Sequence, residues 1–156
     1  MSRVKLDEQS AYEYSHSLRV RATDLNYAGH LGNEALLALV HEARAHYLLI
    51  LNFNTLVGHG QTVGLALVDL IVNFKAEAFA HESLNVDCHI DEITQKSFRL
   101  FHRVHRSKQV IALVETGLVA FDYATRQAVP LPPVFLLELK KYQAGSQKPS
   151  EGGENL

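Results

Sequence analysis

The sequence predicts an α+β fold in which one long helix packs on a five-stranded antiparallel sheet. Three observations predict it. Residues 12–22 alternate between an apolar-rich side and a polar side. Leu36, Val40, Ala43, Tyr47 and Leu51 form a single stripe at helical spacing. Four further segments between Val63 and Tyr123 carry strand patterns.

The first strand places Tyr12, Tyr14, His16, Leu18 and Val20 on one side. Glu13, Ser15, Ser17, Arg19 and Arg21 fall on the other, as in a half-buried strand. The turn-rich segment TDLNYAGHLGN follows, with Gly29 and Gly32 in it. Asn33 is the expected N-cap, because its side-chain oxygen can accept from the open N–H groups of a first turn. The helix is expected to run to about Leu51. After the loop NFNTLVGHGQ, Val63 to Phe74 is apolar on both faces, which predicts a central strand covered on both sides. Asp69 interrupts it and, under strict alternation, shares a face with Leu65, Leu67 and Ile71.

Leu84, Val86, Cys88 and Ile90 define one side of the next strand, and Phe98, Leu100, His102 and Val104 one side of the following one. Val110 to Tyr123 is again apolar on both faces, with Gly117 marking a bulge or a close approach. PLPP then stops pairing, and a short amphipathic turn spans Val134 to Tyr142. Residues 1–144 form one domain in this reading, and 145–156, GSQKPSEGGENL, a disordered tail.

Composition removes several classes. The 156 residues carry 15 basic and 17 acidic side chains, a net charge of −2, which argues against bulk nucleic-acid binding. MSRVKLDEQS lacks the apolar centre of a signal peptide. No uninterrupted apolar run approaches the roughly 20 residues of a membrane span. The expectation is a soluble, cytoplasmic protein with neither membrane nor nucleic acid as a partner. Cys88 is the only cysteine, which excludes an intrachain disulfide and a multi-cysteine zinc site. The nine histidines include no HExxH, and His41 and His46 lie about 140° apart around a helix, so no metal or other cofactor is expected.

The chemistry concentrates in RATDLNYAGHLGNEALLALVHEAR. Asp24, Asn26, Gly29, His30, Asn33 and the Glu42-Ala43-Arg44 triplet resemble the hotdog-fold acyl-CoA thioesterases, in particular their 4-hydroxybenzoyl-CoA thioesterase-like branch. The pattern of that branch is roughly D-x-D-x-x-G-H-x-N-N, then a helix with E-x-A-R. NFKAEAFAHESL, Lys96 to Phe98 and VPLP at 129–132 are similar to the family as well, and the resemblance covers about Tyr12 to Leu139. It implies a hotdog fold, a homodimer or homotetramer, and hydrolysis of an acyl-CoA thioester at a subunit interface.

Such a reaction needs an activated water or nucleophile and donors for the developing oxyanion. A helix start supplies donors through its unpaired N–H groups and its dipole. The resemblance assigns the N–H on the thioester carbonyl to Asn33, with Gly29 allowing a close backbone approach. Asn26 stands where the family has its catalytic acid, and an amide is neither a base nor a carboxylate nucleophile. Either His30 supplies the base, or the chain binds acyl-CoA without cleaving it. A hydratase or dehydratase pairing His30 with a carboxylate is a third reading.

Asp24 matches the family's first acid and reads as a turn-stabilising residue. Glu42 on the helix and Asp69 on the strand are further acid/base candidates, Asp69 because an unpaired buried carboxylate would be costly. Lys96 to Lys108 holds five basic residues and no acid, with Arg99, Arg103 and His105 on one strand face. Lys96, Ser97, Phe98 and Arg99 are the expected contacts for the phosphate end of the coenzyme.

Overall fold

A computed structural model describes residues 1–146. The chain runs through β1 (Tyr14–Arg19), α1 (Asn33–Ile50), β2 (Val63–Phe74), β3 (Ser83–Asp91), β4 (Ser97–Arg106), β5 (Gln109–Asp122), β6 (Gln127–Ala128) and α2 (Pro133–Ser146). A 3-10 turn at Ala22–Asp24 separates β1 from the loop before α1.

The apolar stripe builds α1 as expected: Leu36, Val40, Ala43, Tyr47 and Leu51 are all buried. The helix begins one position earlier than the capping rule indicated. Gly32, extended at φ −72° and ψ 156°, is the N-cap, and its carbonyl accepts from Leu36 N–H at 2.9 Å. Asn33 is therefore the first helical residue and not the cap.

The strands form one antiparallel sheet in the order β1-β3-β4-β5-β2, with β6 paired to the end of β5. The sheet thus has six strands where five were expected, the sixth being a two-residue pairing of Gln127 and Ala128 with Asp122 and Phe121. Leu84, Val86, Cys88 and Ile90 of β3 and Phe98, Leu100, His102 and Val104 of β4 turn towards α1 and close the core. VFLLELKKY is a full helix, α2, rather than a short turn. Phe135 and Leu139, four residues apart, bury one stripe of it, and Phe135 packs on Phe53 and Phe98 at ring separations of 5.4 and 5.3 Å. Gly145 and Ser146, expected to open the tail, end this helix, and 147–156 lie outside the described residues.

Strand β2 overturns two expectations. It is an edge strand, not a central one, and its apolar side chains are open: Leu67 is 48%, Val68 62%, Leu70 40% and Phe74 47% exposed. A β-bulge between Leu67 and Asp69 also switches its faces. Leu65 and Leu67 pair with Ala120 and Leu118 on the α1 side, whereas Asp69 and Ile71 pair with Gly117 and Glu115 on the far side. Asp69 thus leaves the face of Leu65 and Leu67, because one extra residue inverts every later position.

Candidate active site at the start of the long helix

The loop 25–31 folds back on itself through a Leu25–Leu31 bridge. Asn26 closes it: its N–H donates to the His30 carbonyl at 2.9 Å, its carbonyl accepts from Gly29 N–H at 3.0 Å, and its Oδ1 accepts from Ala28 N–H at 3.0 Å. That last bond is an Asx-turn, the local role for which asparagine suits. Gly29 sits at φ +79°, a conformation that costs a side-chain-bearing residue free energy. Leu31 N–H then donates to the Ala78 carbonyl at 2.8 Å, tying the loop to the segment that leaves β2. Asp24, buried, holds the other end through hydrogen bonds from Arg21 N–H and guanidinium, and this pairing keeps its carboxyl below the usual range.

This packing delivers His30 and Asn33 to one cleft of about 250 Å³, shared with Leu36, Phe74, Lys75 and Glu77. No side chain caps α1, so its first N–H groups open towards the loop. The macrodipole adds positive potential at that point, suited to a developing oxyanion. His30 Nδ1 lies 3.2 Å from the Leu31 carbonyl, which assigns it as the protonated nitrogen. Its Nε2 is left with a lone pair, and Glu77 Oε1 stands 3.7 Å from it.

The remaining expected site residues lie elsewhere. Glu42 is exposed on α1, about 13 Å along the axis from Asn33, and bonds His46 Nε2 at 3.0 Å. Asp69, on the far face of the sheet, accepts from Arg99 Nη1 at 2.9 Å and Gly117 N–H at 3.0 Å. Phe98 is not available to a ligand, being 2% exposed in the core. Arg99 is no free cation either, since Glu115 Oε2 accepts from its Nε at 3.0 Å in addition to Asp69. The basic side chains of the expected positive stripe are matched to acids: Arg103 pairs with Asp87 and Glu8, Arg106 pairs with Glu82, and His105 Nε2 lies 2.9 Å from Asp87 Oδ2. Cross-strand acids remote in sequence neutralise it. Lys96 is exposed and Ser97 Oγ lies 2.6 Å from Thr94 Oγ1. Both belong to the end of the sheet opposite the cleft, because Ser97 pairs with Val119 of β5 and Phe74 with Ala112, roughly 24 Å apart along that strand.

Sequence reasoning missed Lys75 and Glu77 at the cleft. Both stand in NFKAEAFAHESL, a stretch noted only for its resemblance, and nothing in its composition marks them. Cys88 is buried and burial pushes its thiol well above the ordinary range, so it has no nucleophilic character. Among the described residues, no three His, Cys, Asp or Glu side chains gather as a metal site, and no helix is long and apolar enough to cross a membrane.

A long helix packed on an antiparallel sheet, with a loop cleft at its N-terminus, is the hotdog architecture. The family model of the thioesterase-like superfamily matches residues 20–139, and the chain belongs to that superfamily. Its structure is similar to that of the 1,4-dihydroxy-2-naphthoyl-CoA thioesterase from Synechocystis, at 21% identity and a TM-score of 0.74, over 81% of this chain and 95% of that one. It is also similar to a gentisyl-coenzyme A thioesterase (24% identity, TM-score 0.73, 81% and 99% covered). A third similar structure is a DHNA-CoA thioesterase from Staphylococcus aureus (18% identity, TM-score 0.74, 83% and 90% covered). No curated protein sequence matches the chain.

Proposed function

We propose that the protein is an acyl-CoA thioesterase acting as a homodimer in the cytoplasm. The observation that carries the reading is the uncapped start of α1 opening, beside the free Nε2 of His30, onto the Asn33 cleft. In the proposed step the thioester carbonyl accepts from Asn33 N–H. His30 Nε2 takes a proton from water as the water oxygen bonds to the carbonyl carbon. Glu77 balances the imidazolium charge, and the oxyanion rests on the helix start. Collapse breaks the C–S bond, and His30 returns its proton to the departing thiolate. Asn26 serves by holding the turn that aims His30.

Strand β2 supports the proposed dimer. An edge strand with four exposed apolar side chains invites pairing with a second copy. Antiparallel pairing along β2 reverses the second sheet end for end, and would carry the Lys96 end of that copy towards this Asn33 cleft. The phosphate end of the coenzyme would then meet Lys75 from one chain and Lys96 from the other. Release of free thiol from a panel of acyl-CoAs tests the proposal, and a protein that binds them saturably without releasing thiol would refute hydrolysis. That second reading, acyl-CoA binding alone, is favoured by one observation: Asn26 supplies no carboxylate where the family has one.

A further inference from the structure

A second cleft lies along the same seam between α1 and β2. It holds about 160 Å³ and is lined by Leu37, Val40, His41, Arg44, Leu67, Leu70 and Thr116. Its apolar walls, Leu37, Val40, Leu67 and Leu70, meet three polar side chains, His41, Arg44 and Thr116, none with a hydrogen bond or ion pair among the described residues. Arg44 is partly buried and has neither an ion pair nor a hydrogen bond among the described residues. Burial pulls its guanidinium below the ordinary arginine value, as a desolvated cation without a counter-ion requires. Thr116, 1% exposed on β5, has a buried hydroxyl without a hydrogen-bond partner among the described residues. The three arginines of β4, Arg99, Arg103 and Arg106, are each matched to a carboxylate, which Arg44 on α1 is not. Leaving a buried hydroxyl and a partly buried cation unmatched destabilises a fold unless a ligand or partner completes them.

Geometry connects this cleft to the proposed thioester site. Asn33, Leu37, Val40 and Arg44 follow one another at three- and four-residue steps, so they share one face of α1. On the facing strand Phe74 borders the Asn33 cleft, and Leu70 and Leu67 border the Arg44 cleft. Asn33 and Arg44 are about 16 Å apart along the axis, and the arginine side chain leans back towards the helix start, shortening the gap.

We propose that Arg44 and Thr116 form the far end of the acyl pocket and recognise a carboxylate at the distal end of the acyl chain. The substrate class is then an ω-carboxyacyl-CoA of medium chain length. The apolar walls take the methylenes, Arg44 supplies the charge, and the Thr116 hydroxyl donates the second hydrogen bond. This rests on the proposed thioester site at Asn33.

The test compares kcat/KM for adipoyl-, suberoyl- and sebacoyl-CoA with that for hexanoyl-, octanoyl- and decanoyl-CoA, in the wild type, Arg44→Gln and Thr116→Val. The wild type is expected to prefer the carboxylated member of one pair by at least about tenfold. Arg44→Gln is expected to bring that ratio near one, and Arg44→Lys to restore part of it. Two results overturn the proposal: a ratio that Arg44→Gln leaves unchanged, or a loss of the dimer in Arg44→Gln by light scattering, which would make a second chain the partner of Arg44. If no acyl-CoA is hydrolysed, thioesterase activity fails separately. Calorimetry with suberate then decides: saturable binding abolished by Arg44→Gln supports the carboxylate site, and no binding ends it.

Discussion

His89 Nδ1 lies 2.6 Å from Glu13 Oε2, and the pair joins β3 to the segment that enters β1. The other oxygen of Glu13 accepts from Tyr47 OH on α1, Ile90 N–H on β3 and Gln143 Nε2 on α2, so four elements meet on one buried carboxylate.

The first prediction concerns pH. Burial opposes the charged Glu13, but the donors led by His89 outweigh it and hold its carboxyl below the ordinary 4.5. His89 is raised above its ordinary 6.5, chiefly by the bond to Glu13. Stability from His89 is complete below 6.5 and is lost as pH rises through its raised value. Stability from Glu13 is complete above 4.5 and is lost as pH falls through its lowered value. Thermal melts should therefore peak between these ordinary values and decline towards pH 9. Glu13→Gln should flatten the alkaline decline, and Glu13→Ala should cost about 3 kcal/mol by removing the acceptor of four donors. An unchanged Tm from pH 6 to 9 in the wild type would contradict this.

Gly117 carries the second prediction. A Cβ on it would stand 2.8 Å from Asp69 Oδ1 and 3.2 Å from Arg99 Nη1. Gly117→Ala should push Asp69 off both Arg99 and the Gly117 N–H and destabilise the fold by about 2 kcal/mol in urea titration. Asp69→Asn should cost less than about 1 kcal/mol, because that pair is partly solvated. Equal losses in the two variants would show that the close approach is not what Gly117 provides.

These relationships mark where the sequence was legible. Helix α1 was, because a 3.6-residue stripe survives wherever only one face is buried, and β1, β3 and β4 were for the matching reason at period two. Asp69 was misplaced because alternation fails at a bulge, and the extra residue leaves no local signature. Arg99 read as a free cation because its acids, Asp69 and Glu115, stand 30 residues before it and 16 after it. Strand β2 read as central because apolar residues on both faces look the same in a covered central strand as in this open edge strand. Of the candidate cleft, Asn33 and His30 were expected from turn chemistry and resemblance, and the fold brings the two together. Lys75 and Glu77 were not, since only the fold brings the end of β2 to the start of α1.

His30 and Asn26 should differ sharply in turnover. His30→Gln should lower kcat about 100-fold with little change in KM, as expected for loss of a positioned base. Asn26→Asp should keep the fold, because a carboxylate oxygen can accept the same Ala28 N–H. It should raise kcat by returning an acid to the family's position. Stopped assays with a thiol reagent across both variants measure this, and unimpaired turnover in His30→Gln would remove the imidazole from the mechanism.

The proposed coenzyme contact would separate Lys75 from Arg99. Lys75 is exposed at the mouth of the Asn33 cleft, whereas Arg99 is committed to Glu115 and Asp69 on the far face. Lys75→Gln should raise KM for acyl-CoA about fivefold and weaken its salt dependence, as loss of one phosphate contact does. Arg99→Gln should leave KM unchanged and lower stability by about 1–2 kcal/mol. The opposite assignment of KM effects would restore Arg99 as a phosphate ligand.

The last prediction tests what covers β2. Val68 is 62% exposed on the edge strand, at the bulge between Leu67 and Asp69. A charge there meets water in an isolated chain but an apolar neighbour in a paired one, and burying it unpaired would cost several kcal/mol. Val68→Glu should therefore leave the melting of the single chain nearly unchanged while converting the proposed dimer to monomer at micromolar concentration in light scattering. Activity should fall with the dimer and recover as protein concentration rises, because a mass-action equilibrium governs it. If Val68→Glu remains dimeric, the edge of β2 is not the interface. If it is monomeric and fully active, the site is complete within one chain and the shared phosphate contact with a second Lys96 is excluded.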